Sequence, residues 1–203
     1  MQEFRYDSDL TGGSLQVRES RVIADLLLRQ VDADAWQQEV LHENRLQKRT
    51  PATARRIAQA LRKRLERLEP PFWRALRDGD EELATQVAFC AALERNLLLL
   101  EFMETVVQDA YLTQTTSLQG WQWEEFLEER AHRDPLITSW TESSRKKMGQ
   151  VAFRMLAEVG LMQSTRTLRL QHILVRPEVR TLLEDSSRQR LLTCLTISVP
   201  LNK

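Results

Sequence analysis

Apolar residues recur along this chain at helical spacing almost throughout, and the interruptions are clear enough to divide it into elements. Residues 1–13 show no periodicity and end in Gly12-Gly13, an irregular arm. From Ser14 as N-cap, Leu15, Val22, Ile23, Leu26 and Leu27 predict a first helix, and Trp36, Val40 and Leu41 a second one after Asp32 or Asp34. Thr50-Pro51 pairs a good N-cap with the residue favoured at the first helical position. Behind it Ala54, Ile57, Ala58, Leu61, Leu65 and Leu68 form one stripe, closed by Pro70-Pro71. A short segment bearing Phe72, Trp73 and Leu76 runs to Gly79.

Asp80 then opens a stretch reaching Tyr111 that is apolar nearly all round between Val87 and Leu100, with a break expected near Asn96; it reads as the buried centre of the fold. Gln119-Gly120 marks a loop before Trp121, Trp123, Phe126 and Leu127, and Asp134-Pro135 repeats the cap-plus-proline signal. Met148, Val151, Ala152, Met155, Leu156 and Val159 define another amphipathic helix, stopped by Gly160. Over residues 168–174 the period shortens towards two, predicting one short β element, before Pro177 and Ser186-Ser187 begin two last helices. The expected class is therefore mostly α, a compact multi-helix bundle. It divides into residues 1–79 and 80–203, or forms one continuous domain of the same elements.

Formal charge cancels at 29 basic and 29 acidic residues, which hides a segregation. Residues 1–77 hold 15 Lys and Arg against 11 acids, residues 78–130 hold 2 against 12, and residues 131–203 hold 12 against 6. Two basic segments thus flank an acidic one. The densest basic run carries Arg45, Lys48, Arg49, Arg55, Arg56, Arg62, Lys63, Arg64 and Arg67, with Glu66 as its acid. With the apolar stripe facing a core, Arg56, Lys63 and Arg67 fall on the opposite side, and Arg55 and Arg62 on one shoulder. Lys48 and Arg49 precede the helix N-terminus, where free N–H groups and the helix dipole favour phosphate. This is the footprint of a reader of nucleic-acid backbone; the competing reading is a solvated face, or one neutralised by the acidic segment.

The gap from Asn44 to Thr50 is longer than the usual helix-turn-helix connection. A second segment has better order. Pro135 to Trp140, the helix Ser144 to Val159 and the alternating stretch Leu168 to Leu174 follow one another as in a winged helix, with Arg145, Lys146, Lys147 and Arg154 near the second helix and Arg166 and Arg169 on the wing. A plain helical core element is the alternative.

Catalytic chemistry is not legible. No Gly-x-x-x-x-Gly-Lys loop occurs. His42, His132 and His172 lie far apart without zinc-ligand spacing. Glu124, Glu125, Glu128 and Glu129 are spaced as a solvated face, and Cys90 and Cys194 sit among apolar neighbours as buried thiols of a reducing compartment. No apolar run approaches a membrane span and the amino terminus lacks a secretory pattern, so a cytoplasmic protein is expected.

The run Gly12-Gly13-Ser14-Leu15 with Glu19-Ser20-Arg21, then Asn44-Arg45-Leu46-Gln47 leading to Thr50-Pro51-Ala52-Thr53-Ala54-Arg55-Arg56-Ile57-Ala58, resembles the BrxA family of BREX bacteriophage-exclusion systems. So does Leu156-Ala157-Glu158-Val159-Gly160-Leu161 followed by Val175-Arg176-Pro177. The resemblance implies an all-helical, NusB-like fold, double-stranded DNA as partner, no cofactor, and action beside a BREX methyltransferase and ATPase. Two other readings stay open: a protein–protein adaptor docking through the acidic segment, and an RNA-binding protein.

Overall fold

In the computed structural model, residues 5–198 are described and are mostly helical. The helices are α1 (Val17–Leu28), α2 (Ala33–Gln37, continued by a π-helical turn Gln38–His42), α3 (Pro51–Leu65), α4 (Pro70–Asp78) and α5 (Glu81–Arg95). Next come α6 (Leu97–Phe102), a π-helical turn Met103–Val107, α7 (Gln108–Leu112), α8 (Trp121–Ala131), a 3-10 turn Pro135–Ser139 and α9 (Glu142–Glu158). The last two are α10 (Pro177–Asp185) and α11 (Gln189–Thr196). Ser14 does not cap α1, which opens at Val17 behind a left-handed Gln16, but other caps that the sequence announces are made. Thr50 Oγ1 accepts from Thr53 N–H at 3.2 Å, Asp80 Oδ1 from Leu83 N–H at 2.9 Å, and Asn96 Oδ1 from Leu99 N–H at 3.0 Å. Asn96 is extended (φ −121°, ψ 103°), so its cap opens α6 and ends the path of α5.

The described residues form two units: residues 15–95 with 176–186, and residues 5–14 with 96–175 and 187–198. In the first, α1 packs on α3 and α4, and α4 on α5. Ile23, Leu26, Ala58, Leu61, Leu65, Phe72, Leu76 and Val87 make its core, each almost fully buried. The second is built on aromatic rings. Phe102 meets Trp123 at 5.0 Å, Phe126 at 5.4 Å and Phe153 at 6.0 Å between centroids, all edge-on, the arrangement the ring quadrupoles prefer. Cys90 and Cys194 are free and buried.

No regular strand forms among the described residues. The alternating stretch 168–174 makes single antiparallel bridges only, Arg169 to Ser117 and Leu170 to Met162. Leu168, at φ 50°, lies in the left-handed region, which ends any ladder before it extends.

Helix α9 meets α8 at a residue that cannot carry a side chain. A Cβ on Gly149 would stand 2.7 Å from Cδ1 and 2.8 Å from Cγ of Trp123. Overpacking of this kind costs about 1–3 kcal/mol, while Ala returns up to ~1 kcal/mol of helix propensity. Gly149→Ala is therefore expected to lower stability by roughly 1–2 kcal/mol in urea unfolding; an unchanged midpoint would show that the indole moves aside.

Candidate nucleic-acid interface

Helix α3 buries Ala54, Ile57, Ala58, Leu61 and Leu65, and the opposite face follows from its period. Arg55, Arg56 and Lys63 stand exposed there, with Arg49 just ahead of the N-terminus, and none of these four has an ion-pair partner among the described residues. Arg62 is engaged: its guanidinium lies 4.7 Å over the Trp36 ring and its Nε donates to Glu66 Oε1 at 2.6 Å. Arg67 is exposed, whereas Arg64 is buried.

Arg45 and Lys48 have turned into the fold. Arg45 donates to Glu39 and, at 3.1 Å, to Asp25; Arg29 donates to both oxygens of the same Glu39. Lys48 Nζ donates to Glu19 at 2.6 Å, and Arg18 donates to the Leu46 carbonyl at 2.8 Å. Asn44 closes the connection on itself, its amide donating to the Lys48 carbonyl and its oxygen accepting from Lys48 N–H, both at 2.9 Å. Asn44 and Gln47 take positive φ (50° and 53°) within it. The long connection is thus a rigid corner held by ion pairs, and α3 is fixed relative to α1 and α2.

In the other unit, three short backbone segments flank α8 and α9. Leu118 N–H donates to Leu168 O and Leu170 N–H to Thr116 O, both at 2.9 Å. Gln163 N–H donates to Arg169 O at 2.8 Å and Gln171 N–H to Leu161 O at 2.9 Å. Residues 169–171 therefore lie between 116–118 and 161–163. The tip between them is tight: Leu168 N–H reaches Ser164 O at 3.0 Å and Thr167 N–H reaches Ser164 Oγ at 3.2 Å. The chain order is helix, paired segment, helix, turn, helix and two paired segments, with the last segment central.

Helix α9 buries Met148, Val151, Ala152, Met155 and Leu156. Lys146, Lys147, Gln150 and Arg154 are exposed on its outer side, Arg166 at the tip and Arg169 on the last paired segment; none of these six has a hydrogen-bond or ion-pair partner through its side chain among the described residues. Arg145 is drawn in instead. Its carbonyl accepts from Trp123 Nε1 at 3.1 Å, and its Nε lies 3.7 Å from Glu124. An open groove of about 560 Å³ lies between α8, α9 and the tip, lined by Glu124 and Glu128 of α8, Glu142, Lys146 and Gln150 of α9, and Thr165 of the tip. Glu125, Glu128 and Glu129 are exposed along α8. No group of three His, Cys, Asp or Glu able to hold a metal ion occurs among the described residues, and no single helix there is long and apolar enough to cross a membrane. Gln150 escaped sequence reasoning because neutral amides give no charge signal; its place in the period beside Gly149 is the one clue it leaves.

These features define a mostly helical protein with an unneutralised cationic face on each of two units. Residues 4–187 match the BrxA family. A BREX protein BrxA of Paramagnetospirillum magneticum is 37% identical over 98% of this chain and 100% of its own length. A BREX protein BrxA of Escherichia coli O9:H4 is 35% identical over 92% and 88%. The crystal structure of an uncharacterized protein from Magnetospirillum magneticum superposes with a TM-score of 0.88 at 35% identity, covering 96% of this chain and all of that one. The chain belongs to the BrxA family.

The corner has a pH signature. Hydrogen bonds from Arg29, with Arg45 adding to them against the cost of burial, hold the Glu39 carboxyl below its ordinary range. A depressed carboxylate contributes stability above its unfolded pKa of about 4.3 and loses it as pH falls through the lower folded value. Glu39→Gln should cost about 1–2 kcal/mol at pH 7, discounted for the exposure of Arg29. Its unfolding midpoint should also change less than wild type between neutral pH and about pH 3; equal acid sensitivity would contradict this role.

Proposed function

We propose that this chain is a non-catalytic, double-stranded DNA-binding component of a BREX bacteriophage-defence system, acting in the cytoplasm beside its other proteins, among them a methyltransferase and an ATPase. One observation carries the proposal. The segment order and pairing around α8 and α9 follow the order of a winged helix, and the outer side of α9 and the segments after it carry cations with no side-chain partner among the described residues. An α-helix fits the major groove of B-form DNA, whereas the A-form groove of RNA duplexes is too deep and narrow to admit one. That favours DNA over RNA.

Helix α3 supplies the second surface. It follows α2 through the ion-paired corner, and Arg49, Arg55, Arg56 and Lys63 are its free charges. Arg45, Lys48 and Arg145 support the scaffold and contribute less to binding, since each is already spent on a carboxylate or turned inward. Phosphate contacts of this kind fix register and orientation.

An adaptor role has one observation behind it. Trp121 is 60% exposed at the start of α8 beside Glu125, Glu128 and Glu129. An exposed tryptophan rimmed by acids suits a basic protein surface, and the two roles are compatible.

The test is fluorescence anisotropy of a labelled duplex against salt. With about six phosphates neutralised, the log–log slope is expected near −5. Charge reversal at Arg55, Arg56 and Lys63 together, or at Lys147, Arg154 and Arg166 together, should each flatten the slope by about 2–3 while circular dichroism stays unchanged. A flat slope in the wild-type protein would overturn the DNA reading. Equal binding by both variants would move the contact elsewhere.

A further inference from the structure

The outward stripe of α9 runs Ser143, Lys147, Gln150, Arg154, with Lys146 on its groove side. All but Gln150 and Ser143 are cations, which bind phosphate without reading sequence unless they reach a guanine edge. Gln150 differs in chemistry and in placement. Its amide offers a donor and an acceptor on one planar end, the pair that matches N6 and N7 of adenine in the major groove. It lies next to Gly149, where Trp123 fixes the approach of α9 to α8, so its backbone position is set to within the tolerance of that packing. It forms no hydrogen bond among the described residues and lines the groove between α8, α9 and the tip together with Lys146, Thr165 and the acids Glu124, Glu128 and Glu142. Nine residues past the Thr141 cap, it sits about 13 Å along the helix, flanked on both sides by charges that can hold the backbone.

We infer that Gln150 is the base-reading residue of this surface, contacting an adenine in duplex DNA while Lys147, Arg154 and Arg166 position it through phosphate. This rests on the DNA-binding reading above and deepens it: binding has a sequence component, and that component is concentrated at one side chain.

Retention of duplexes randomised at their centre, followed by sequencing of the bound fraction, tests the inference. Wild type should enrich adenine at one position by about tenfold. Gln150→Ala should bind unselected duplexes with the wild-type salt slope and lose that enrichment. Gln150→Glu should shift it towards cytosine, whose N4 amino group a carboxylate accepts from. On the enriched duplex, 7-deazaadenine at that position should weaken wild type by about the same tenfold and leave Gln150→Ala unaffected.

Binding by wild type without an adenine preference, or an unchanged preference in both Gln150 variants, overturns the inference and leaves DNA binding standing. Failure of wild type to retain any duplex overturns the DNA reading itself, and this inference with it.

Discussion

The indole of Trp123 occupies the space where residue 149 would carry a side chain, and much of its unit is arranged around that contact. The ring is anchored at three points. Phe102 and Phe126 pack against it, its Nε1 donates to the Arg145 carbonyl, and the Gly149 backbone closes over it. Because the hydrogen bond and the close approach both fall on α9, translation or rotation of that helix breaks one or the other. Buried aromatic clusters of this kind tolerate little displacement, since interiors are packed to crystal-like density. The exposed side of α9 is therefore presented in one orientation.

The other unit reaches the same end by electrostatics. Glu39 and Asp25 gather Arg29 and Arg45, while Glu19 takes Lys48. Glu19 and Glu39 are buried and Asp25 half-buried, and each would be costly alone; with their partners they fix a connection containing two left-handed residues. Cations of one continuous run thus split into two roles. Arg45 and Lys48 are consumed in holding the corner, and Arg49, Arg55, Arg56 and Lys63 remain available.

That split explains how far the sequence could be read. The helices from Thr50, Asp80 and Pro177 were legible because cap and proline chemistry is local and hydrophobic period reports the buried face directly. The free side of α3 was legible for the same reason. The inward turn of Arg45 and Lys48 was not, because it depends on Glu19, Asp25 and Glu39, which lie on other elements and are brought together only by tertiary folding. Likewise the alternation at 168–174 gave the right neighbourhood and too much strand. The left-handed Leu168 that shortens the pairing has no signature in a β-branched or glycine-free stretch. The sequence reading began a winged-helix order at Pro135 to Trp140, where the fold has only a 3-10 turn behind α8, and the pairing with residues 116–118 was not legible, since nothing local links segments fifty residues apart.

Overall neutrality then acquires a physical consequence. A protein with equal numbers of acids and bases exerts little attraction on DNA beyond a Debye length, about 8 Å at physiological salt. On the proposed reading, encounter is steered at short range, by faces whose cations have no ion-pair partner among the described residues. On the proposed DNA-binding reading, segregated charge on a neutral chain therefore trades non-specific affinity for a defined docking orientation. Under that constraint, a small contribution from a neutral side chain such as Gln150 is a larger share of the total binding energy than it would be on a strongly cationic protein.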